Sequence, residues 1–253
     1  MGPDEMRDTS DVSGARSARE DLESLGAMGA MGAMNGIGGI GGWFAERESS
    51  PREELANCVS HGLGLLGAFV ATPFLLDAAR PRGPWSLAGA TVFAVSVIVL
   101  YLASTLYHAA VAPATRRRLQ RLDHAAIFVL IAGTYTPFLL GALRGMLGWA
   151  LLFVVWTIAV AGMTLKACGR LTRRGPSLAM YLALGWLAVV AIRPFALAVP
   201  VPGLLLLVAG GLAYTTGVAF FALERLRYGH LVWHLCVLAG TGCHFAAVLW
   251  YAR

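Results

Sequence analysis

Charged side chains are scarce in this sequence, and their scarcity excludes an ordinary soluble domain. Asp, Glu, Lys and Arg make up only 13% of the 253 residues, whereas hydrophobic residues make up 57% and the mean hydropathy is +0.66. A typical soluble domain carries about 25% charged residues. We therefore expect an integral membrane protein.

Cysteine is also rare, and its placement excludes the usual thiol sites. The four cysteines are scattered, with no Cys-x-x-Cys pair: Cys58, Cys168, Cys236 and Cys243. This pattern predicts small buried side chains rather than a disulfide framework or a thiolate metal site. The net charge of +6 comes without a basic patch interleaved with aromatic residues, so nucleic acid is not an expected partner.

The first 52 residues differ in composition from the rest. They hold most of the acidic residues and a Met/Ala/Gly run, GAMGAMGAMNGIGGIGG, which is too rich in glycine to favour a helix. No basic segment precedes a compact apolar core, as a signal peptide would require. We expect a disordered tail at 1–52 and a transmembrane domain at 53–253.

Seven apolar segments follow, each long enough to cross a bilayer as a helix of about 20 residues. They lie at about 55–77, 85–111, 122–143, 146–166, 177–193, 198–222 and 230–252. Proline-rich and basic stretches separate them, including RPRGP at 80–84 and APATRRRLQR at 112–121. The predicted fold class is an all-α, seven-helix transmembrane bundle.

Basic residues near the ends of the segments predict the orientation, because Lys and Arg favour the cytoplasmic side. With a cytoplasmic N-terminus, the cytoplasmic loops hold Arg116, Arg117, Arg118, Arg121, Lys166, Arg170, Arg173, Arg174, Arg225 and Arg227. The opposite loops hold only Arg80, Arg82, Arg144 and Arg193. We expect the N-terminus inside, the C-terminus outside, and a location in the plasma membrane.

Polar residues from distant parts of the sequence converge in this arrangement. Ser104 and His108 end the second segment, Asp123 begins the third, and His230 and His234 open the seventh. In the predicted orientation, all five lie at one membrane depth. Ionisable residues in membrane spans are costly and usually mark a functional site.

The histidine spacing predicts a metal site. His230 and His234 are four residues apart, about 6 Å along one helix face, and His108 would add a third imidazole. Three protein ligands with one open position are typical of catalytic zinc, although these ligands also suit iron, copper or nickel. Asp123 would serve as general base, and Ser104 would supply a supporting hydrogen bond or stabilise an oxyanion.

Other polar residues have less definite roles. A histidine pair at this spacing is often coincidental, so the interpretation depends on His108 and Asp123. Glu54, Asn57 and His61 form one stripe that could line a cavity mouth, bind substrate, or simply anchor the first helix.

Two further histidines are expected outside the metal site. His244 lies about 15 Å beyond His234 along the helix, so it cannot share the metal and is expected to pack or form hydrogen bonds. His124 points about 100° away from Asp123 and is left out of the site.

The motifs EELANCVSHG, STLYH, RLDHAAIFVLIAGTYTPF and HLVWHLCVLAGTGCHF together resemble the hemolysin III family. This family belongs with the progestin and adipoQ receptors, including the adiponectin receptors, and the resemblance covers about 53–253. It implies seven helices with a cytoplasmic N-terminus. It also implies zinc held by His108, His230 and His234, with Asp123 near a water at the metal and Ser104 beside it.

Three classes of function follow from the residues and the resemblance. The superfamily includes alkaline ceramidases, which favours a zinc-dependent hydrolase that cleaves a lipid amide or ester. A membrane receptor or membrane-homeostasis regulator with structural zinc is the second class, and a cytolytic protein is the third. No sequence feature identifies the substrate, and a membrane lipid is the expected substrate or ligand.

Overall fold

The computed structural model describes residues 49–223 and 226–252, and all regular structure within them is helical. The α-helices are α1 (Pro51–Ala79), α2 (Pro84–Ala109), α3 (Pro113–Leu140), α4 (Met146–Ala167), α5 (Arg174–Gly185), α6 (Ile192–Ala198), α7 (Val201–Ala222) and α8 (Gly229–Tyr251). Short 3-10 helices follow α1 (Arg80–Arg82) and join α5 to α6 (Trp186–Ala191). The predicted tail at 1–52 lies almost entirely outside the described residues.

Seven of the resulting segments are long and apolar enough to cross a membrane. Five are single helices, the first, Pro51–Arg82, joins α1 to the short 3-10 helix after it, and the fifth, Arg174–Ala198, combines α5, the 3-10 turn and α6. The predicted seven-helix membrane fold is therefore confirmed, while the orientation of its termini stays a prediction. Many large apolar side chains are exposed, including Leu63, Leu66, Phe74 and Val190, as expected of surfaces that face lipid.

Neighbouring helices pack in chain order around the bundle. Helix α2 packs against α1 and α3, α3 packs against α4, and α7 packs against α8. Helix α8 also contacts α1, so the first and last helices lie side by side. This contact brings the start of α8 to the polar stripe of α1.

Small residues allow the helices to approach closely. A Cβ atom at Gly89 of α2 would lie 2.7 Å from the backbone Cα of Pro137 in α3. At Gly162 of α4, a Cβ atom would lie 2.5 Å from the buried ring of Phe128. Glycine at helix crossings is characteristic of membrane bundles, because close van der Waals packing supplies much of the association energy.

Tyr135 of α3 stabilises the break in the fifth span. Its hydroxyl donates to the carbonyl oxygens of Leu184 and Gly185, at 3.1 and 2.7 Å, and accepts from the amide of Ala188 at 2.9 Å. Backbone groups freed by the 3-10 turn thereby find partners inside the bundle. The GTYTPF motif thus has a structural role.

Two sequence-based boundaries were wrong. The stretch APATRRRLQR is not a separating loop, because α3 begins at Pro113 and runs through it. Proline suits the start of a helix, and the arginines continue the helix beyond its apolar part. The sixth span begins at Val201 rather than 198, because Val199 is extended and Pro200 precedes the helix.

Candidate metal centre

Three histidines from two helices meet at one end of the bundle. His108 ends α2, and His230 and His234 occupy the first turns of α8. One ring nitrogen from each residue lies within 4.8 Å of those of the other two. His108 and His234 are buried and His230 is half-buried. The structure therefore brings together the three histidines that the sequence singled out.

The closest pair of ring nitrogens has the separation of two ligands on one metal ion. His230 Nε2 lies 3.2 Å from His108 Nε2. Two nitrogens at about 2.0–2.1 Å from a tetrahedral zinc would be about 3.3 Å apart. Two imidazole lone pairs at such a distance repel unless a proton or a cation lies between them. The donor set thus fits a metal ion, although the ligand role itself stays a prediction.

Glu54 fixes the orientation and tautomer of His108. Its Oε2 lies 2.8 Å from His108 Nδ1, and its Oε1 pairs with Arg116 Nη2 at 2.7 Å. The carboxylate accepts a hydrogen bond from Nδ1–H, so Nε2 keeps its lone pair and faces His230. Carboxylate–histidine pairs of this kind are typical of metal ligands.

His234 is oriented in the same way by the backbone and side chains of α1. Its Nδ1 lies 3.0 Å from Ser60 Oγ and 3.2 Å from the carbonyl oxygen of Asn57. The Ser60 hydroxyl itself donates to that carbonyl oxygen at 2.8 Å. The Nδ1–H must therefore donate, which leaves Nε2 unprotonated. Helix α1 thus holds the rings of two of the three histidines.

A capping box positions this stripe of α1. Ser50 caps the helix and exchanges hydrogen bonds with Glu53, as its amide donates to Glu53 Oε2 at 2.9 Å. The other carboxylate oxygen of Glu53 accepts from the amide of Tyr228 at 2.8 Å, just before α8 begins. Tyr228 adopts a left-handed conformation, with φ of 59°. The starts of α1 and α8 are thereby fixed to each other.

Asp123 and Ser104 line the same cavity as two of the histidines. Both are buried, and the cavity also includes His230 and His234 in its lining. Ser104 Oγ has no hydrogen-bond partner within residues 49–223 and 226–252. A carboxylate and a free hydroxyl therefore lie at the cavity wall, where the sequence predicted a base and a supporting donor.

His61 contacts the centre without joining it. Its ring stacks on His234, with the centroids 3.6 Å apart and the planes 6° from parallel. It does not belong to the three-histidine cluster, and neither of its ring nitrogens has a partner in the described part of the chain. The importance of α1 was therefore underestimated from the sequence, although the spacing of Glu54, Asn57 and His61 was the available signal.

The remaining two histidines lie apart from the cluster. His244 is buried, and its Nε2 lies 3.1 Å from the carbonyl oxygen of Leu207. His124 is not part of the cluster, but it lines both cavities of the bundle instead of the lipid interface. Its carbonyl oxygen accepts a hydrogen bond from the Tyr181 hydroxyl at 2.8 Å.

Two cavities border the centre. An apolar cavity of about 420 Å³ extends from Ser104 and Asp123 along α3, α5 and α7 to His244. A second cavity of about 380 Å³ has a polar lining that includes Arg121, Lys166 and Ser177. His230 lines both cavities, so the candidate centre lies at their boundary.

Comparisons with known proteins agree with this architecture. A profile described as "Haemolysin-III related" matches residues 49–245. The chain is 40% identical to the Hemolysin-3 homolog of Bacillus subtilis (strain 168), over 79% of this chain and 94% of the relative. It is 43% identical to Hemolysin-3 of Bacillus cereus, over 79% and 92%.

A human protein is a more distant relative. Monocyte to macrophage differentiation factor is 25% identical, over 79% of this chain and 84% of that protein. The bacterial relatives and the seven apolar helices favour the plasma membrane as the location of the chain. From the extent of the profile match and the bacterial identities, we conclude that this chain is a multi-pass membrane protein of the haemolysin-III-related family.

Proposed function

We propose that this protein is a zinc-dependent intramembrane hydrolase that cleaves an amide or ester bond of a membrane lipid. The observation that carries the proposal is the spacing of His108 and His230, whose Nε2 atoms lie 3.2 Å apart. His230 lines the same cavity as the buried residue Asp123. Three histidines leave one position open on a tetrahedral ion, as catalytic zinc requires.

The surrounding residues support a metal-assisted reaction. When bound, zinc would lower the pKa of a water molecule toward about 7 and polarise a carbonyl oxygen. Asp123 would accept the proton of the attacking water, because its carboxyl group lines the cavity beside the histidines. Ser104 would donate a hydrogen bond to that carboxylate or to the substrate carbonyl. Glu54 and Ser60 would keep His108 and His234 in the required orientation.

The apolar cavity supports a lipid substrate. It is lined by side chains such as Leu130, Phe138, Leu207 and Val237, and Asp123 and His230 line the same cavity. An acyl chain that leaves the bilayer would find an equally apolar environment there and would gain van der Waals contacts with these side chains. The scissile carbonyl would then lie at the polar end, near Asp123.

Metal analysis and a hydrolysis assay test the proposal. Protein purified without chelators or metal-affinity resin should contain about one zinc per chain, and His108→Ala and His234→Ala should lose it. Asp123→Asn should keep the metal and lose lipid hydrolysis. His124→Ala is the matched control for the metal content, because His124 lies outside the cluster. A wild-type protein without metal would refute the hydrolase.

A metal that persists in Asp123→Asn together with an unchanged ligand response would instead favour the receptor or regulator class. In that class the metal supports the fold, and Asp123 does not act as a general base. The name of the Bacillus cereus relative, Hemolysin-3, refers to haemolysis, and dye leakage from lipid vesicles would separate a cytolytic role of this chain from hydrolysis.

A further inference from the structure

The second cavity of the bundle carries an excess of positive charge. Arg121, Lys166 and Arg174 line it, and Glu53 is the single acidic side chain among its described lining residues. Glu53 already accepts hydrogen bonds from Ser50 and Tyr228. The described lining of the cavity therefore carries three cationic side chains and one anionic side chain.

Lys166 is the most buried of these cations. Only 8% of its surface is exposed, and its Nζ donates to Ser177 Oγ at 2.9 Å. The Ser177 hydroxyl in turn donates to the carbonyl oxygen of Arg173 at 2.8 Å. An ammonium group has three donors, and Lys166 forms no ion pair within residues 49–223 and 226–252. Burying a charge without an anionic partner is costly, so an anion at this position would stabilise the arrangement.

A helix N-terminus adds to the positive potential. Helix α5 begins at Arg174, and no side chain caps its first amides. Thr172, Arg174 and Ser177, which flank this N-terminus, all line the cavity. Free amides and the helix dipole favour anions at such a position, and phosphate groups are their frequent ligands. The ammonium group of Lys166 lies at this N-terminus, because its hydrogen-bond partner Ser177 belongs to the first turn of α5.

The cationic cavity adjoins the apolar cavity of the candidate active site. It shares His230, Tyr181, Phe221 and Trp233 with the apolar cavity. The guanidinium group of Arg174 lies 4.4 Å above the Phe221 ring, at this boundary. A molecule with an apolar part in one cavity and an anionic part in the other would thus place its linking group beside the histidines.

We propose that the cationic cavity binds the phosphate headgroup of an anionic lipid whose acyl chain occupies the apolar cavity. The lipid part rests on the proposed function, since it assumes that the substrate enters the apolar cavity. The assignment of an anionic headgroup to the cationic cavity depends on Lys166, Arg174 and the N-terminus of α5. The phosphate would receive charge-assisted hydrogen bonds from both side chains. The substrate class is thereby narrowed to phosphate-bearing lipids.

A binding experiment on the full chain in neutral detergent tests this site. Dioleoyl phosphatidate and dioleoylglycerol share their acyl chains and differ in the phosphate. The wild type should bind phosphatidate about tenfold or more tightly than dioleoylglycerol, as hydrogen bonds to a charged group predict. Lys166→Gln and Arg174→Gln should lose most of that preference. Arg173→Gln is the matched control, because Arg173 is exposed and does not line the cavity.

Further measurements distinguish a specific effect from misfolding of the variants, and a lipid headgroup from free inorganic phosphate. Lys166→Arg keeps the charge and should keep the preference, and each variant should still bind dioleoylglycerol as the wild type does. Equal affinity of the wild type for the two lipids, or a preference that survives in Lys166→Gln and Arg174→Gln, would overturn the proposal. Inorganic phosphate that binds as tightly as phosphatidate would assign the cavity to a free anion and overturn the lipid assignment.

The Asp123→Asn variant separates this inference from the proposed function. It should keep the preference for phosphatidate, because Asp123 does not line the cationic cavity. If the wild type prefers phosphatidate but hydrolyses no lipid, the proposed hydrolase activity is contradicted and the headgroup site is not. Hydrolysis of a lipid without any preference for phosphate would count against the headgroup site alone.

Discussion

Glu54 and His230 lie on opposite edges of the His108 ring. Glu54 Oε2 is 2.8 Å from Nδ1, and His230 Nε2 is 3.2 Å from Nε2. The carboxylate on one edge makes the nitrogen on the other edge a better electron-pair donor. Arg116, which pairs with Glu54 at 2.7 Å, holds the carboxylate in place. The first helix therefore takes part in the centre although it supplies no member of the histidine cluster.

Glu54→Gln should weaken metal binding without abolishing it. The amide can still accept a hydrogen bond from His108, but it loses the charge that increases the basicity of the ring and its pairing with Arg116. Loss of such a partner typically costs about 10–100-fold in metal affinity. Competition with a chromophoric zinc chelator measures the change.

Asp77→Asn is the matched control for Glu54→Gln. Asp77 is an exposed carboxylate of the same helix, near its opposite end, and its loss should leave zinc affinity unchanged. Wild-type affinity in Glu54→Gln would show that the contact with His108 does not tune the metal site.

His61→Phe should retain the zinc content of the wild type. The substituted ring can keep the stacking on His234, whose centroid lies 3.6 Å from that of His61, but it has no nitrogen to offer a metal. His61→Ala should lower the melting temperature instead, because it removes the stacked ring, a contact worth about 0.5–1.5 kcal/mol. Elemental mass spectrometry and a thermal melt on the same preparations measure both effects. Loss of zinc in His61→Phe to the extent seen in His108→Ala would make His61 a ligand.

Much of this arrangement can be predicted from the sequence, because membrane helices leave strong signals. Apolar length alone identifies seven spans, and the four-residue spacing of His230 and His234, together with the predicted depth of His108, singles out three of the six histidines. The start of α3 was misplaced because hydropathy reports the membrane boundary, whereas α3 continues through the arginines to Pro113.

The supporting role of α1 could not be predicted in the same way. Its stripe of Glu54, Asn57 and His61 has the spacing of any amphipathic helix. Its function depends on the contact between α1 and α8, which no local pattern encodes. The two cavities likewise result from the broken fifth span and its packing, which are properties of the assembled bundle.

Gly89→Ala should destabilise the crossing of α2 and α3. The added Cβ atom would lie 2.7 Å from the backbone Cα of Pro137, and a backbone atom cannot move aside as a flexible side chain would. Overpacking of this kind typically costs about 1–3 kcal/mol. Unfolding in mixed micelles with increasing SDS measures the loss.

Gly67→Ala is the matched control for this substitution. Gly67 lies in α1 with open space around its Cβ position, so the change should be neutral or slightly stabilising. Equal stability of the two variants would show that the close approach of α2 and α3 is dispensable.

The purified protein should not permeabilise lipid vesicles, which distinguishes a hydrolase from a cytolysin. Its exposed helix faces are apolar, and the buried polar residues of the centre, such as His234 and Asp123, lie inside the bundle, as in a stable membrane protein. Reconstitution into calcein-loaded phosphatidylcholine vesicles should release no more dye than an equal amount of detergent alone. Asp123→Asn is the matched control, because leakage caused by lipid hydrolysis would disappear in it. Protein-dependent leakage that is equal in the wild type and in Asp123→Asn would instead favour the cytolytic class.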